Sequence, residues 1–400
     1  MFFNHPPKRP CIWRSYRLTL KQDCGTTSNQ WRIDDIGVAN YPADIRGCPK
    51  DIARSDVVDR LHAISQSDGM SPVIPDNTLR LARGARGIKH IEWISGLQRK
   101  LDRRNLSFPF KVISSLLKSG KIIRKFKPDV CIGVGGYASG PLLFAASRMG
   151  VPTLIQEQNS FPGITNRILA NSVNRICVAY EGLDRWFPKE KIVMTGNPIR
   201  TEVIEIEGKR EVGIKHFGLN PNKKTILFVG GSLGALSINE AVKKHYQEML
   251  SAGYQILWQH GKAYIESADK LSKQITPGEA IKLHVFIKQM DLAYAAADFI
   301  VSRAGAMAVS ELCHIDKPTF LVPSPNVAED HQTKNAMALV SRGAARLIKD
   351  VDIRENLWTE LETVLYDRDA QTSLKNAIAL MAQKDSDERI ANEIIGLSQS

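Results

Sequence analysis

The chain has 400 residues, of which 43% are hydrophobic, and it carries a net charge of +12. A single core seldom grows beyond about 250 to 300 residues, so this length predicts two domains. There is no apolar run of about 18 residues and no apolar core near the first residues. We therefore expect neither a spanning helix nor a signal peptide, and a protein that stays in the cytoplasm. The basic charge favours a polyanionic partner: nucleic acid, a phosphorylated substrate or an acidic membrane surface.

The cysteines are scattered and form no CxxC pair, so they predict neither a disulfide framework nor a zinc site, and we expect mostly inert thiols. They are Cys11, Cys24, Cys48, Cys131, Cys177 and Cys313.

Residues 1–86 are poorly patterned. There is no glutamate before Glu92, half of the cysteines lie in the first 48 residues, and prolines and glycines interrupt every candidate element. Residues 57–64 are compatible with a helix, but we predict no strand and no glycine-rich turn there. We interpret this stretch as an anomalous segment that packs poorly or is disordered.

A basic and apolar stretch follows between Leu101 and Lys127. Two interpretations are open: its apolar residues pack into the domain core beneath a solvated cationic face, or they lie on a membrane. Nucleic-acid binding would need aromatic platforms or a known module, and neither is present, so we expect no nucleic acid. The candidate membrane contacts are Leu106, Phe108, Phe110, Ile113 and Leu117.

From about residue 87, short β-rich runs alternate with helical stretches, which is the rhythm of a parallel sheet. We place a domain boundary near Arg200. The prediction is a first domain over 87–200 and a second over 201–375, with a C-terminal helix at about 376–400 that can pack back on the first. The predicted strands of the first domain lie at 130–134, 152–155, 175–179 and 191–194.

A glycine turn follows the first strand of the second domain, Thr225–Val229. Gly230, Gly231 and Gly234 leave no side chain between the backbone amides and a ligand, and Ser232 adds a hydroxyl. The free N–H groups at a helix start can hold a phosphate. The spacing is not the dinucleotide GxGxxG, and the alternative is a tight strand-to-helix connection.

A second turn repeats this pattern, with a strand ending near Ser302, a bend at Gly305 and a helix that carries Ser310 and Glu311. Glu311 either complements the dipole of a helix start or accepts hydrogen bonds from both hydroxyls of a ribose. Two glycine turns on βα units favour a nucleotide.

Taken together, the motifs resemble the MurG family of bacterial glycosyltransferases from about Ile88 to the C-terminus. The matching pieces occur in the family's order and spacing, which no single turn could establish. They are residues 133–141 (GVGGYASGP), 156–159 (QEQN), 196–200 (GNPIR), 230–235 (GGSLGA), 304–311 (AGAMAVSE) and 329–336 (EDHQTKNA).

The resemblance implies an α/β protein of GT-B fold, with two Rossmann-like domains facing a cleft and the donor bound mainly by the second. The implied reaction moves N-acetylglucosamine from UDP-N-acetylglucosamine to lipid I, an undecaprenyl-diphosphate-linked acceptor, and gives lipid II for peptidoglycan. Transfer occurs with inversion, so an acceptor hydroxyl loses a proton while UDP departs. Positioned amides and cations stabilise that leaving group. The family implies no obligatory cofactor and no metal, and the catalytic base cannot be named.

By resemblance, Ser232 and its neighbouring amides face the UDP phosphates, the backbone of Ile287 reads uracil, and Glu311 holds the ribose. Gln332 and Asn335 contact the sugar, while Gly135 and Gly136 present amides to the acceptor diphosphate. Asn159 and Arg200 match further donor-site positions of the family. Three of these candidates have plainer alternatives: Asn159 as a helix cap, Arg200 as a surface cation and Gln332 as a solvated side chain. The donor-site candidates are Asn159, Arg200, Ser232, Ile287, Ala306, Met307, Ala308, Val309, Ser310, Glu311, Gln332 and Asn335.

A polyprenyl acceptor stays in the bilayer, so we expect the basic stretch to contact an anionic membrane. The family implies a peripheral protein on the cytoplasmic face of the inner membrane.

One departure stands out: the family opens with a loop of the form GGTGGH, which this chain lacks. We interpret residues 1–86 as replaced or read in a wrong frame, which leaves the first domain incomplete. The alternatives are another UDP-sugar enzyme of this fold, such as an epimerase or hydrolase, or an inactive UDP-sugar-binding remnant.

Overall fold

The computed structural model describes residues 36–39, 108–276 and 278–399. The first sheet has the strand order β1-β2-β3-β4-β5. Strands β2 to β5 run parallel, whereas β1 pairs antiparallel with β2, with Ile36 opposite Gly133. The bounds are β1 Ile36–Ala39, β2 Val130–Gly133, β3 Thr153–Glu157, β4 Arg175–Val178 and β5 Ile192–Met194.

The predicted strands β2 to β5 are confirmed, since buried β-rich runs bounded by turns are typical of a parallel sheet with both faces covered. The prediction of no strand within residues 1–86 is wrong, because β1 lies there and pairs along the edge of β2. The predicted helix at 57–64 lies outside the described residues.

Three helices accompany the first sheet: α1 Phe108–Phe126, α2 Gly136–Arg148 and α3 Ile164–Leu169. The inner face of α1 contributes Ile123 to a core that includes Leu143, Ile155 and Ile176. Cys131 and Cys177 are buried in this domain, and Cys313 is buried in the second. Burial raises the pKa of each thiol to about 12, which agrees with the expectation of inert thiols. The remaining three lie outside the described residues.

The second sheet is parallel throughout, with the order β11-β10-β9-β6-β7-β8. Its strands are β6 Thr225–Val229, β7 Gln255–Gln259, β8 Ile281–His284, β9 Phe299–Arg303, β10 Thr319–Val322 and β11 Arg346–Leu347. Its helices are α4 Thr201–Ile204, α5 Arg210–Phe217, α6 Leu236–Ser251, α7 Ile265–Ser272, α8 Met290–Ala296, α9 Ala306–Cys313, α10 His331–Val340, α11 Ile353–Leu365 and α12 Arg368–Ala379.

The last helix, α13 Ser386–Ser398, returns to the first sheet. Its Ile390, Ala391 and Ile394 are fully buried against β2, β3 and β4, where they meet Val130 and Leu154. The chain therefore crosses between the sheets twice, once through residues 195–200 and once through 380–385.

Candidate nucleotide-sugar site

The site is set by the strand order of the second sheet. From β6 the chain moves through β7 and β8 toward one edge, and from β9 through β10 and β11 toward the other. The neighbours β6 and β9 therefore flank the topological switch point, and in open α/β sheets ligands bind beyond the carboxyl ends of such strands. Both predicted glycine turns begin there, since one follows β6 and the other follows β9.

The turn after β6 depends on glycine. Gly234 has φ +90°, and a Cβ on it would lie 2.1 Å from the carbonyl oxygen of His260. Only glycine permits both that backbone conformation and the approach of the neighbouring loop. Helix α6 begins directly after the turn, at Leu236. Ser232, which lies on the turn, is exposed. The turn therefore places the exposed Ser232 just before a helix start, while the Gly234 N–H is used within the turn, where it donates to the Gly231 carbonyl oxygen at 3.1 Å.

Gln259, at the carboxyl end of β7, links this turn to Ile287. Its Nε2 donates to the carbonyl oxygen of Gly231 at 3.3 Å, and its Oε1 accepts the Ile287 N–H at 2.8 Å. The side chain is buried. Gln259 was not among the residues predicted from the sequence, although a polar residue that ends a buried strand is a usable signal.

Glu311 lies at the sixth position of α9, so the explanation that it complements a helix start is wrong. Tyr294 on α8 donates its hydroxyl to Glu311 Oε2 at 3.1 Å. Burial, followed by the nearby carboxylate, raises the pKa of Tyr294 well above its ordinary value, so the phenol stays a donor. Arg200 is exposed, and its charge acts on Tyr294 in the opposite direction. These three side chains thus form one electrostatic group.

Arg303 connects the strand before the second glycine turn to the helix after the first. It was not predicted from the sequence. It ends β9 and donates to Ser237 Oγ in the first turn of α6 at 3.0 Å and to the carbonyl oxygen of Val322 at 3.1 Å. Its guanidinium also pairs with Asp350. A planar donor fork suits such a task, because it satisfies several acceptors in fixed directions. The remaining predicted members of α9 are Ala306 and Val309, which are buried, and Met307, Ala308 and Ser310, which are half-buried.

Across the cleft, Glu157 fixes Asn159. One carboxylate oxygen of Glu157 accepts the Asn159 N–H at 3.0 Å and its side-chain amide at 3.3 Å. The other oxygen accepts from Asn166 at 2.7 Å and from the Gly163 N–H at 3.1 Å. Glu157 ends β3 and is buried, so these donors compensate for its desolvation. Asn159 does not cap a helix, since α3 begins after Gly163.

Asn335 on α10 connects the two domains. Its Nδ2 donates to Asn159 Oδ1 at 3.0 Å, and its Oδ1 accepts the Ser160 N–H at 2.9 Å. A second link lies nearby, where Asn197 Nδ2 donates to Ser310 Oγ at 2.9 Å. The structure thus brings together predicted donor residues that lie about 175 positions apart in the sequence.

Gln332 is half-buried rather than solvated, and its Oε1 accepts the Ser324 N–H at 2.8 Å. On the first-domain side, Gly135 has φ +104° and is followed by the first residue of α2, Gly136. That loop repeats the arrangement of backbone amides at a helix start, beside the exposed Tyr137.

Helix α1 exposes an apolar stripe. Phe110, Ile113 and Leu117 are 77%, 56% and 71% exposed, and their spacing places them on one side of the helix. The interpretation that these three pack into the core is therefore wrong. Leu106 and the side chain of Phe108 lie outside the described residues. No helix in the described part of the chain combines the length and apolar character needed to cross a bilayer.

Comparison with known proteins agrees with this architecture. The "Glycosyltransferase family 28 N-terminal domain" matches residues 77–178, and the "Glycosyltransferase family 28 C-terminal domain" matches residues 225–390. The first match begins before Ile88, where the sequence motifs began to resemble the family.

Two curated relatives carry the name "UDP-N-acetylglucosamine--N-acetylmuramyl-(pentapeptide) pyrophosphoryl-undecaprenol N-acetylglucosamine transferase". The one from Flavobacterium psychrophilum is 48% identical over 307 residues, which cover 77% of this chain and 83% of the relative. The one from Cytophaga hutchinsonii is 49% identical over 302 residues, covering 76% and 80%. The crystal structure of Acinetobacter baumannii MurG superposes with a TM-score of 0.65 at 27% identity, over 86% of this chain and 96% of that one.

The two α/β domains and these matches define a glycosyltransferase of family 28 with the GT-B fold. Residues with predicted donor roles from both domains face each other across its cleft. The chain belongs to the MurG family.

Proposed function

We propose that this protein transfers N-acetylglucosamine from UDP-N-acetylglucosamine to lipid I and so forms lipid II for peptidoglycan. The single observation that carries the proposal is the position of both glycine turns at the switch point between β6 and β9, with Glu311 held beside them. The named activity of the relatives supports the substrates.

In the donor site, the Gly231 and Ser232 amides with Ser232 Oγ would hold the diphosphate. Gly230 and Gly234 would shape the turn, because the Gly230 N–H donates to the Gln259 carbonyl oxygen at 3.5 Å and the Gly234 N–H donates to the Gly231 carbonyl oxygen at 3.1 Å. Phosphate binding at such a turn uses the partial positive charge of free N–H groups. The Ile287 N–H is donated to Gln259, so uracil would be read through the Ile287 carbonyl.

Glu311 would accept from the ribose hydroxyls, with Tyr294 keeping its orientation and Arg200 beside it. Gln332 would contact the sugar through its side-chain nitrogen, because its oxygen accepts the Ser324 N–H. Asn335 and Asn159 would contribute mainly by joining the domains around the donor, with Ala306 to Ser310 forming the wall supplied by α9.

On the acceptor side, the amides at Gly135 and Gly136 would face the lipid diphosphate. We further propose that α1 lies on an anionic membrane surface, which makes the protein peripheral at the cytoplasmic face of the inner membrane. Each cation near such a surface contributes roughly 1 kcal/mol. The exposed stripe of Phe110, Ile113 and Leu117, flanked by exposed Lys118 and Lys121, supports this orientation. We also keep the boundary near Arg200 as the point where the acceptor domain ends.

The acceptor 4-oxygen forms a bond to the anomeric carbon, with inversion, as the bond from that carbon to the UDP oxygen breaks, and the hydroxyl proton passes to a general base or to water. Negative charge then develops on the leaving diphosphate. Preorganised amides at the α6 start would stabilise that charge more than they stabilise the ground state.

The test follows labelled N-acetylglucosamine from its UDP sugar into a lipid I analogue, with product identification by mass spectrometry. Wild-type protein should form the disaccharide, Glu311→Gln should lower kcat/KM by about 10- to 100-fold, and the exposed control Glu266→Gln on α7 should not change it. Release of free sugar or an epimerised nucleotide, without disaccharide, would favour the hydrolase or epimerase alternative. Donor binding without any product would identify a binding remnant.

A further inference from the structure

Asn197 lies in the first of the two segments through which the chain crosses between the sheets, residues 195–200. It is only 2% exposed, and both polar atoms of its side chain have hydrogen-bond partners. A buried amide that is paired at both atoms is held in one orientation. The proposed function uses Arg200 from the same GNPIR stretch and gives Asn197 no role.

Two partners of Asn197 belong to the first domain and fix its orientation. The Gln158 carbonyl oxygen can only accept, and Asn197 Nδ2 donates to it at 3.0 Å. Asn197 Oδ1 therefore faces Gln156, whose Nε2 donates to it at 2.9 Å. This leaves Gln156 Oε1 buried without a hydrogen-bond partner among the described residues. An unpaired buried oxygen disfavours folding, so the arrangement indicates that the orientation of Asn197 matters for more than stability.

The third partner belongs to the second domain. Asn197 Nδ2 also donates to Ser310 Oγ at 2.9 Å, across 113 positions of sequence. Ser310 lies on α9 directly before Glu311, the residue proposed to hold the ribose. Because groups of the first domain fix the Asn197 donor, this bond holds α9 in one position relative to the end of β3.

The end of β3 also holds α10, because Asn335 on that helix contacts Asn159 and Ser160. Residues 156–160 therefore hold one second-domain helix directly and another through Asn197. One such contact alone would leave a point about which the domains can rotate. Contacts to two different helices oppose that rotation more strongly, so the Asn197 bond helps to fix how the domains face each other.

We propose that Asn197 is a positioning residue for the transfer reaction. It holds α9 against the first domain through Ser310, and so keeps a donor bound by the second domain facing an acceptor bound by the first. This role rests on the proposed function, which places the two substrates on the two domains. A misplacement of about 1 Å can lower a rate about 100-fold. The proposed UDP contacts Ser232, Ile287 and Glu311 all lie in the second domain, so loss of the Asn197 bond should lower kcat and spare UDP affinity.

The test uses the full chain and measures kcat for transfer to a lipid I analogue at saturating substrates, per site that binds UDP in calorimetry. Ser310→Ala removes only the bond between the domains, whereas Asn197→Ala also removes the bonds to Gln156 and Gln158. We expect Ser310→Ala to lower kcat about five- to tenfold, the effect of one hydrogen bond, and Asn197→Ala to lower it at least as much. UDP affinity should stay near the wild-type value in both.

The double variant should lose little more than Asn197→Ala, because both changes break the same bond. Asn174→Ala is the matched control, since the Asn174 side chain accepts from the N–H and the hydroxyl of Thr153 within the first domain. It should keep the wild-type kcat. If Asn197→Ala does not fold, Ser310→Ala decides, because loss of a direct donor contact would lower affinity for the UDP sugar together with kcat.

An unchanged kcat in Ser310→Ala and Asn197→Ala proteins that bind UDP would overturn the proposal. Losses that add fully in the double variant would also overturn it, because Ser310 would then act independently of Asn197. So would an equal fall of kcat in Asn174→Ala, which would attribute the effect to a general loosening of the first domain. Wild-type protein that binds UDP but transfers nothing would instead overturn the proposed function, and the role of Asn197 with it.

Discussion

Asn335 and Asn159 hold each other across the cleft: the side-chain amide of Asn335 donates to the side-chain oxygen of Asn159 at 3.0 Å. Asn335 is fully buried, and its own oxygen accepts the Ser160 N–H. The two asparagines therefore use their polar groups to join the domains, and the proposed donor site lies at that junction.

Removing the junction should open the cleft. Asn335→Ala deletes two hydrogen bonds and leaves the Ser160 N–H without its partner, a loss of about 1 to 3 kcal/mol. We expect kcat/KM for the UDP sugar to fall about tenfold or more, with a raised KM. Steady-state kinetics beside the exposed control Asn356→Ala would check this. Wild-type KM in Asn335→Ala would contradict a role for the junction in donor binding.

Tyr294 should act through Glu311. Tyr294→Phe removes the hydroxyl that orients the carboxylate while the ring stays in the core, so the fold should persist. We expect UDP affinity to fall several-fold, and the double variant with Glu311→Gln to lose little more than Glu311→Gln alone, because contacting residues are not additive. Calorimetric titration with UDP measures both. Full additivity of the two losses would show that Tyr294 acts independently.

Gly234→Ala should disrupt the phosphate turn, because the added Cβ would lie 2.1 Å from the His260 carbonyl oxygen. Gly253→Ala is the matched control, since Gly253 has φ +89° but open space around its Cβ position. Both variants should lose about 1 to 3 kcal/mol of stability from the strained φ. Only Gly234→Ala should also lose UDP binding. If a folded Gly234→Ala protein kept its UDP affinity, the turn after β6 would not be the phosphate-binding turn.

The stripe on α1 should govern membrane binding. Phe110→Ser and Leu117→Ser each remove a large exposed apolar side chain, and partial insertion of such a group contributes about 1 to 3 kcal/mol. We expect roughly tenfold weaker binding to vesicles with anionic lipid in a sedimentation assay, and unchanged transfer to a water-soluble acceptor analogue. Val351→Ser, at a position 78% exposed, is the control. Equal vesicle binding by all three variants would rule out α1 as the contact.

Acid should destabilise the donor domain through His260. Burial lowers the pKa of His260 below its ordinary value of 6.5, so the unfolded chain takes up a proton before the folded chain does. Stability is therefore complete above about pH 6.5 and falls as the pH drops from there toward the lowered pKa. His260→Gln should flatten this fall in urea unfolding measured from pH 7.5 to 5, and His216→Gln, at an exposed position, should not. If the free energy of unfolding of His260→Gln fell with pH as steeply as that of the wild type, His260 would not be responsible for the acid sensitivity.

The sequence predicted the strands well, because residues 130–134 and 225–229 are buried β-rich runs next to glycines. It also predicted both glycine turns, but not the strand order that makes β6 and β9 neighbours, because that order depends on the crossovers between strands. It missed Gln259 and Glu157, because a lone polar residue at a strand end is explained only when its partners, Ile287 and Asn159, are known. It also missed Arg303, whose acceptors come from three separate segments. The edge strand β1 lacked alternation and could not be separated from its poorly patterned surroundings.

Donor binding at the β6–β9 switch point is the central feature of the proposed function. The deciding measurement is a calorimetric titration of UDP-N-acetylglucosamine into the full chain, with its folded state checked by circular dichroism. One donor should bind per chain, UDP should compete with it, and Glu311→Gln should weaken it while Glu266→Gln should not. A folded protein that binds no UDP sugar, or that binds it equally well in Glu311→Gln, would contradict the account.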